Sequence, residues 1–150
     1  DRLTASIIVD GHHLRPEEVQ TFFKVKGRDR TILVSDTNKL AAMPPGEYER
    51  HGKKVLVTPE GMITVPGKGI LAGASFPVSV CVGNVMKFTN CSLADAIHMA
   101  SINPARLLSL SDRGEIRPGK RADLILFELK DYRLDIKKTI VGGKIVYSAK

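Results

Sequence analysis

The chain has 150 residues, 43% of them hydrophobic, which suits one domain of ordinary size with a real core and excludes global disorder. Its net charge is +7 and its pI about 9.6, yet the basic residues are scattered, Trp is absent and aromatic residues reach only 5%. That balance argues against nucleic acid as a partner and suits an anionic small molecule.

No apolar run is long enough to span a membrane, and no signal peptide is visible. Cys81 and Cys91 make neither a zinc spacing nor a disulfide framework, so a cytoplasmic location is expected. The first residue is Asp1, not Met, which suggests a processed product or a piece of something longer.

In chain order, residues 5–9 read as a short buried strand. Pro16-Glu17-Glu18 opens a helix, with proline in the first turn and acids at its positive end, and Gly27 stops it. Residues 31–35 are a second strand, so the opening predicts a parallel β-α-β unit. Residues 40–68 are broken by Pro44-Pro45-Gly46, His51-Gly52, Pro59-Glu60-Gly61 and Pro66-Gly67; the pattern predicts a β-hairpin excursion over 54–58 and 62–65. Helices are predicted over 76–88 and 92–99, the second with Ser92 as N-cap and Asp95 at its third position, followed by a helical turn from Asn103 to Leu108. The tail reads as a buried-type strand over 123–128 and a hairpin of 136–141 and 144–147 around Gly142-Gly143.

Both predicted parallel strands end in titratable residues: Asp10 with His12 and His13 after the first, Asp36 after the second. Parallel α/β folds place ligands at the C-terminal ends of their strands. Asp36 suits a general base or a metal ligand, and a neighbouring histidine suits oxyanion stabilisation or substrate orientation. An aspartate there also serves as a turn former, and adjacent histidines make a metal site only with ligands converging from other elements. Leu71-Ala72-Gly73-Ala74-Ser75 permits close backbone approach to a ligand or simply tight packing.

The ordered series IIVDGHHL (7–14), ILVSDT (32–37), PPGEY (44–48), GILAGAS (69–75), NPARLL (103–108), RGEIRPGKRADLILF (113–127) and TIVGGKIVY (139–147) resembles the C-terminal part of the N-acetylglucosamine-6-phosphate deacetylases, a family of the amidohydrolase superfamily. The resemblance implies an α/β fold: the last two strand-helix units of a TIM-type (β/α)8 barrel over residues 1–110, and strands of a small flanking β-sandwich over 111–150. It implies a catalytic Asp36, substrate contacts from Asp10, Gly11, His12 and His13, and closure over the sugar by Leu71, Ala72 and Gly73. It also implies a divalent metal, zinc or similar, in the complete enzyme, whose ligands have no counterpart here, and an amino-sugar phosphate substrate.

Thr37-Asn38-Lys39 and Phe76-Pro77 depart from the family pattern. A chain of this length holds only part of a barrel, which needs about 200 residues or more, so it is expected to be inactive alone and to self-associate, as a homo-oligomer, through exposed sheet edges. The rival readings are another amidohydrolase, dihydroorotase-like or aminoacylase-like, and a non-catalytic sugar-phosphate-binding or assembly module.

Overall fold

The computed structural model describes residues 3–149. Asp1, on which the reading of the chain's start rests, lies outside the described residues. Strand β1 (Ala5–Ile7) pairs in parallel with β2 (Thr31–Leu33), Ala5 opposite Thr31 and Ile7 opposite Leu33. Parallel neighbours need a crossover, and helix α1 (Pro16–Lys26) supplies it. Pro16 sits in its first turn, Glu18 accepts a hydrogen bond from the Arg15 amide at 2.8 Å, and the amide of Gly27 closes the helix on the Phe23 carbonyl at 2.8 Å. All three β2 residues are buried, as expected of a parallel strand covered on both faces.

Both strands are shorter than the apolar runs that predict them. Val9, beyond β1, is fully buried without being paired, because the chain has begun to turn toward Asp10.

Between β2 and the next helix lies a four-stranded antiparallel meander: β3 (Gly46–Arg50), β4 (Lys53–Val57), β5 (Ile63–Val65) and β6 (Ile70–Leu71). This enlarges the expected hairpin. Gly46-Glu47-Tyr48 is strand, not turn, because its partner positions in β4 are Val57, Leu56 and Val55, and the register continues to Lys53 without interruption. His51 and Gly52 form the two-residue turn, both with positive φ, the geometry that matches strand twist. The meander has its own small core of Leu40, Val55, Val57 and Ile63, with Tyr48 and Ala72 packed against it.

Helices α2 (Val78–Thr89), α3 (Leu93–Ala100) and α4 (Ile102–Leu107) follow. Ser92 and Asp95 form a reciprocal capping box at the start of α3. The main core joins Val9, Val19 and Leu33 to Cys81, Val85, Ala96 and Met99, so α1, α2 and α3 cover the parallel strands. Asn103 is 3% exposed, and its Nδ2 donates to the carbonyls of Arg28 and Thr31 at 2.6 and 2.7 Å. The asparagine of the NPARLL motif therefore ties α4 to the entry of β2.

The tail is a three-stranded antiparallel sheet: β7 (Leu124–Lys130), β8 (Arg133–Val141) and β9 (Lys144–Ser148). The expected burial of the first of these strands is corrected: Ile125, Leu126 and Leu129 are each more than 40% exposed. The tail sheet meets the body through its β7–β8 turn and through β8. Gly83 of α2 lies under the β7–β8 turn, so close that a Cβ there would sit 1.8 Å from the Tyr132 carbonyl oxygen. Leu134 of β8 packs onto the main core.

Candidate active site

The turn after β1 is organised by one buried side chain. Asp10 Oδ1 accepts the amides of His12 at 2.9 Å and His13 at 3.0 Å, and Oδ2 meets His13 Nδ1 at 2.9 Å. Burial pushes the Asp10 carboxyl up, but the two amides and the His13 ring outweigh it and hold the group below the usual carboxylate value. From α2, Asn84 Nδ2 donates to the Val9 carbonyl at 2.9 Å and fixes the turn from behind. Gly11 is exposed at the tip of the turn. His12 projects outward and stacks on Phe76, ring centroids 5.3 Å apart.

The turn after β2 differs in kind. Asp36 is exposed and takes a left-handed backbone, φ 50°. Its carbonyl accepts the Ala74 amide at 3.2 Å, and the Asn38 amide donates to the Ala74 carbonyl at 3.2 Å, so residues 36–38 lie in parallel against residue 74. Asn38 Nδ2 and Arg50 Nη1 both donate to the Ala72 carbonyl, at 3.2 and 2.7 Å. Gly73 lies between these donors with φ 102°; a Cβ there would come within 2.6 Å of Asn38 Nδ2, so the position requires glycine.

These segments converge on one tight cleft with no open cavity between them. Asp10, His12 and His13 line it from the first turn; Leu71, Gly73 and Phe76 line it from the meander and the start of α2. Asp36 and Ala72 stand outside the lining; Asp36 is tied to it by its backbone pairing with Ala74, and Ala72 by its amide, which donates to the carbonyl of the lining residue Ile63. A larger open groove between the C-terminal halves of α1 and α2, lined by Gln20, Phe23, Lys24 and Phe88, lies at the opposite ends of the helices from the strand-end turns.

Among the described residues no group of three or more His, Cys, Asp or Glu gathers closely enough to hold a metal ion. Asp10 and His13 are engaged with one another. The donors described do not fit a divalent metal centre by themselves. His98 lies on α3 beside Asp29, at 3.4 Å, and His51 lies in the β3–β4 turn; neither belongs to this site.

Asn38, Arg50 and Asn84 carry no motif and reach the site only through long-range contacts. The one local signal is Asn84, a polar residue inside the otherwise apolar run VSVCVGNVM at 78–86. The two departures from the family pattern both fall at the site: Asn38 clamps the closing segment, and Phe76 stacks on His12.

Polar turns at the C-terminal ends of two parallel strands are where α/β folds place their ligand sites. The amidohydrolase family model matches residues 3–146, and the chain belongs to the amidohydrolase family.

Among its relatives is the N-acetylglucosamine-6-phosphate deacetylase of Lysinibacillus sphaericus, 34% identical over 97% of this chain and 36% of the relative. The putative N-acetylgalactosamine-6-phosphate deacetylase of Escherichia coli K12 is also 34% identical, over 96% of this chain and 83% of that protein. The crystal structure of N-acetylglucosamine-6-phosphate deacetylase from Thermotoga maritima superposes with a TM-score of 0.87 at 34% identity, over 97% of this chain and 39% of that one. The chain thus spans little more than a third of the Lysinibacillus and Thermotoga proteins. The fold is α/β, two strand-helix units of the barrel with an antiparallel excursion in the second. Among the described residues no helix is long and apolar enough to cross a membrane.

Proposed function

We propose that this chain is the C-terminal part of a deacetylase that hydrolyses N-acetylglucosamine 6-phosphate to glucosamine 6-phosphate and acetate. The observation that carries the reading is 34% identity along 97% of the chain to a deacetylase of that name, together with the superposition on the Thermotoga enzyme. Residues 1–110 belong to the barrel, and residues 111–150 to the flanking β-sandwich.

In this reading Asp36 is the catalytic residue. Its carboxylate is exposed at the end of β2, accepts no side-chain hydrogen bond among the described residues, and so is open to a proton. It takes that proton from the attacking water and returns it to the amine nitrogen as the C–N bond breaks. His13, held by Asp10, faces the acetamide, and Gly11 and His12 bound the substrate beside it. Leu71, Ala72 and Gly73 close over the sugar, their backbone fixed by Asn38 and Arg50. The family's divalent metal, zinc or a similar ion, supplies an activated water when bound; its ligands lie outside the described set, and the isolated 150-residue chain is inactive.

A second reading differs only in the sugar. The two Escherichia coli proteins named for N-acetylgalactosamine 6-phosphate are as similar, at 34% identity, as the Lysinibacillus one. Acetate release from the two hexosamine 6-phosphates, assayed side by side on the protein purified from its own host, tests both. A clear excess with the glucosamine isomer supports the first reading, an excess with the galactosamine isomer the second, and release from neither overturns both.

A further inference from the structure

We infer that Asp10 is a positioning residue for His13 and does not itself contact substrate. The inference rests on the deacetylase reading for the role of His13, but its geometry stands apart from it. The Asp10 side chain is 2% exposed, and both its oxygens are occupied: Oδ1 by the amides of His12 and His13, Oδ2 by His13 Nδ1. An ionised carboxylate only accepts hydrogen bonds, so the proton between Oδ2 and the ring belongs to Nδ1. The neutral imidazole is then held as its Nδ1–H tautomer with an unprotonated Nε2, and Nε2 is the ring atom left for substrate. The turn cannot easily rotate out of this arrangement, because Asn84 grips the Val9 carbonyl on one side and Phe76 stacks on His12 on the other.

The substitution Asp10→Asn tests this, because the surroundings decide how the amide sits. Only an oxygen can receive the two backbone N–H groups at the Oδ1 position. The NH2 group therefore takes the Oδ2 position and faces His13 Nδ1 with a donor. The ring must then accept at Nδ1 and move its proton to Nε2.

The experiment is a two-bond 1H–15N correlation of the imidazoles in the complete, 15N-labelled protein purified from its own host, recorded for the wild type and for Asp10→Asn at a pH where the ring is neutral. Acetate release is measured on the same samples. The expected result is Nδ1–H in the wild type and Nε2–H in the variant, with the backbone spectrum preserved and kcat lower on the order of 100-fold. An Nε2–H wild type overturns the inference. So does an unchanged tautomer accompanied by a raised KM, the mark of a direct substrate contact. Where Asp10→Asn gives no folded spectrum, the wild-type tautomer decides alone. If no acetate is released by any sample, the deacetylase reading fails while the tautomer result still judges the Asp10–His13 relation.

Discussion

His13 Nδ1 lies 2.9 Å from Asp10 Oδ2, and the same carboxylate holds the two amides of the turn between them. The shape of the first strand end therefore depends on one ionised group. Its pKa is lowered in the folded chain, burial being outweighed by the amides and the ring. A carboxyl depressed by folding contributes stability above its unfolded value, about 3.9, and that contribution disappears as pH falls through the folded value. The Asp10 side-chain carboxyl 13C resonance should therefore titrate with its midpoint below the ordinary aspartate value of about 3.9. A shift centred well above the ordinary carboxylate range would contradict the assignment.

Asn103 offers a test of the fold rather than the chemistry. Its buried Nδ2 serves two carbonyls at the entry to β2. Asn103→Ala leaves both without that donor, and should cost about 1–3 kcal/mol in denaturant unfolding. Asn103→Asp should cost at least as much, since an acceptor would face two acceptors. Stability equal to the wild type in either variant would show that the tie is dispensable.

Gly83 is the point where helix α2 meets the β7–β8 turn. A methyl group there would collide with the Tyr132 carbonyl, a backbone atom that cannot rotate away. Gly83→Ala should lower stability by about 1–3 kcal/mol despite its better helix propensity. An unchanged or raised Tm would mean that the tail sheet moves aside without cost.

The clamp on the Ala72 carbonyl predicts a binding effect. Asn38→Ala removes one of its two donors and leaves Arg50 in place. In the complete protein the KM for the sugar phosphate should rise on the order of tenfold, with kcat changed much less. A fall in kcat at constant KM would place Asn38 in the chemistry instead.

Strand β9 is a sheet edge with Ile145, Val146 and Tyr147 at 60%, 61% and 51% exposure. Such an edge pairs with other chains unless it is charged or covered. The 150-residue chain should self-associate at micromolar concentration in sedimentation velocity, and Ile145→Lys should shift it toward monomer. A clean monomer of the parent chain would count against association through this edge.

Much of the architecture is readable from local pattern. Pro16, Glu18 and Gly27 mark both ends of α1, and Ser92 with Asp95 marks the start of α3, because capping is a matter of neighbours in sequence. Gly142-Gly143 announces its turn for the same reason. The turn at Asp131-Tyr132 is silent, because two non-glycine residues adopt positive φ there, at 49° and 61°. Strands β3 and β6 are hidden by the proline and glycine residues beside them, and only pairing with β4 and β5 makes them strands.

The strand-end residues are visible as titratable groups after apolar runs. The partners that shape their surroundings are not. Asn84 acts on Val9 across 75 positions, and Asn38 on Ala72 across 34, distances at which no periodicity operates. The exposure of Ile125 and Leu126 is equally illegible, since DLILFE reads as buried whether or not a second layer covers it.

The most direct test of the central claim is acetate release from N-acetylglucosamine 6-phosphate by the protein purified from its own host, wild type against Asp36→Asn. The predicted result is acetate and glucosamine 6-phosphate in equal amounts from the wild type, and a fall of about 10²- to 10⁴-fold in the variant with its fold intact. Undiminished release by Asp36→Asn, or no release by the wild type, would contradict the claim.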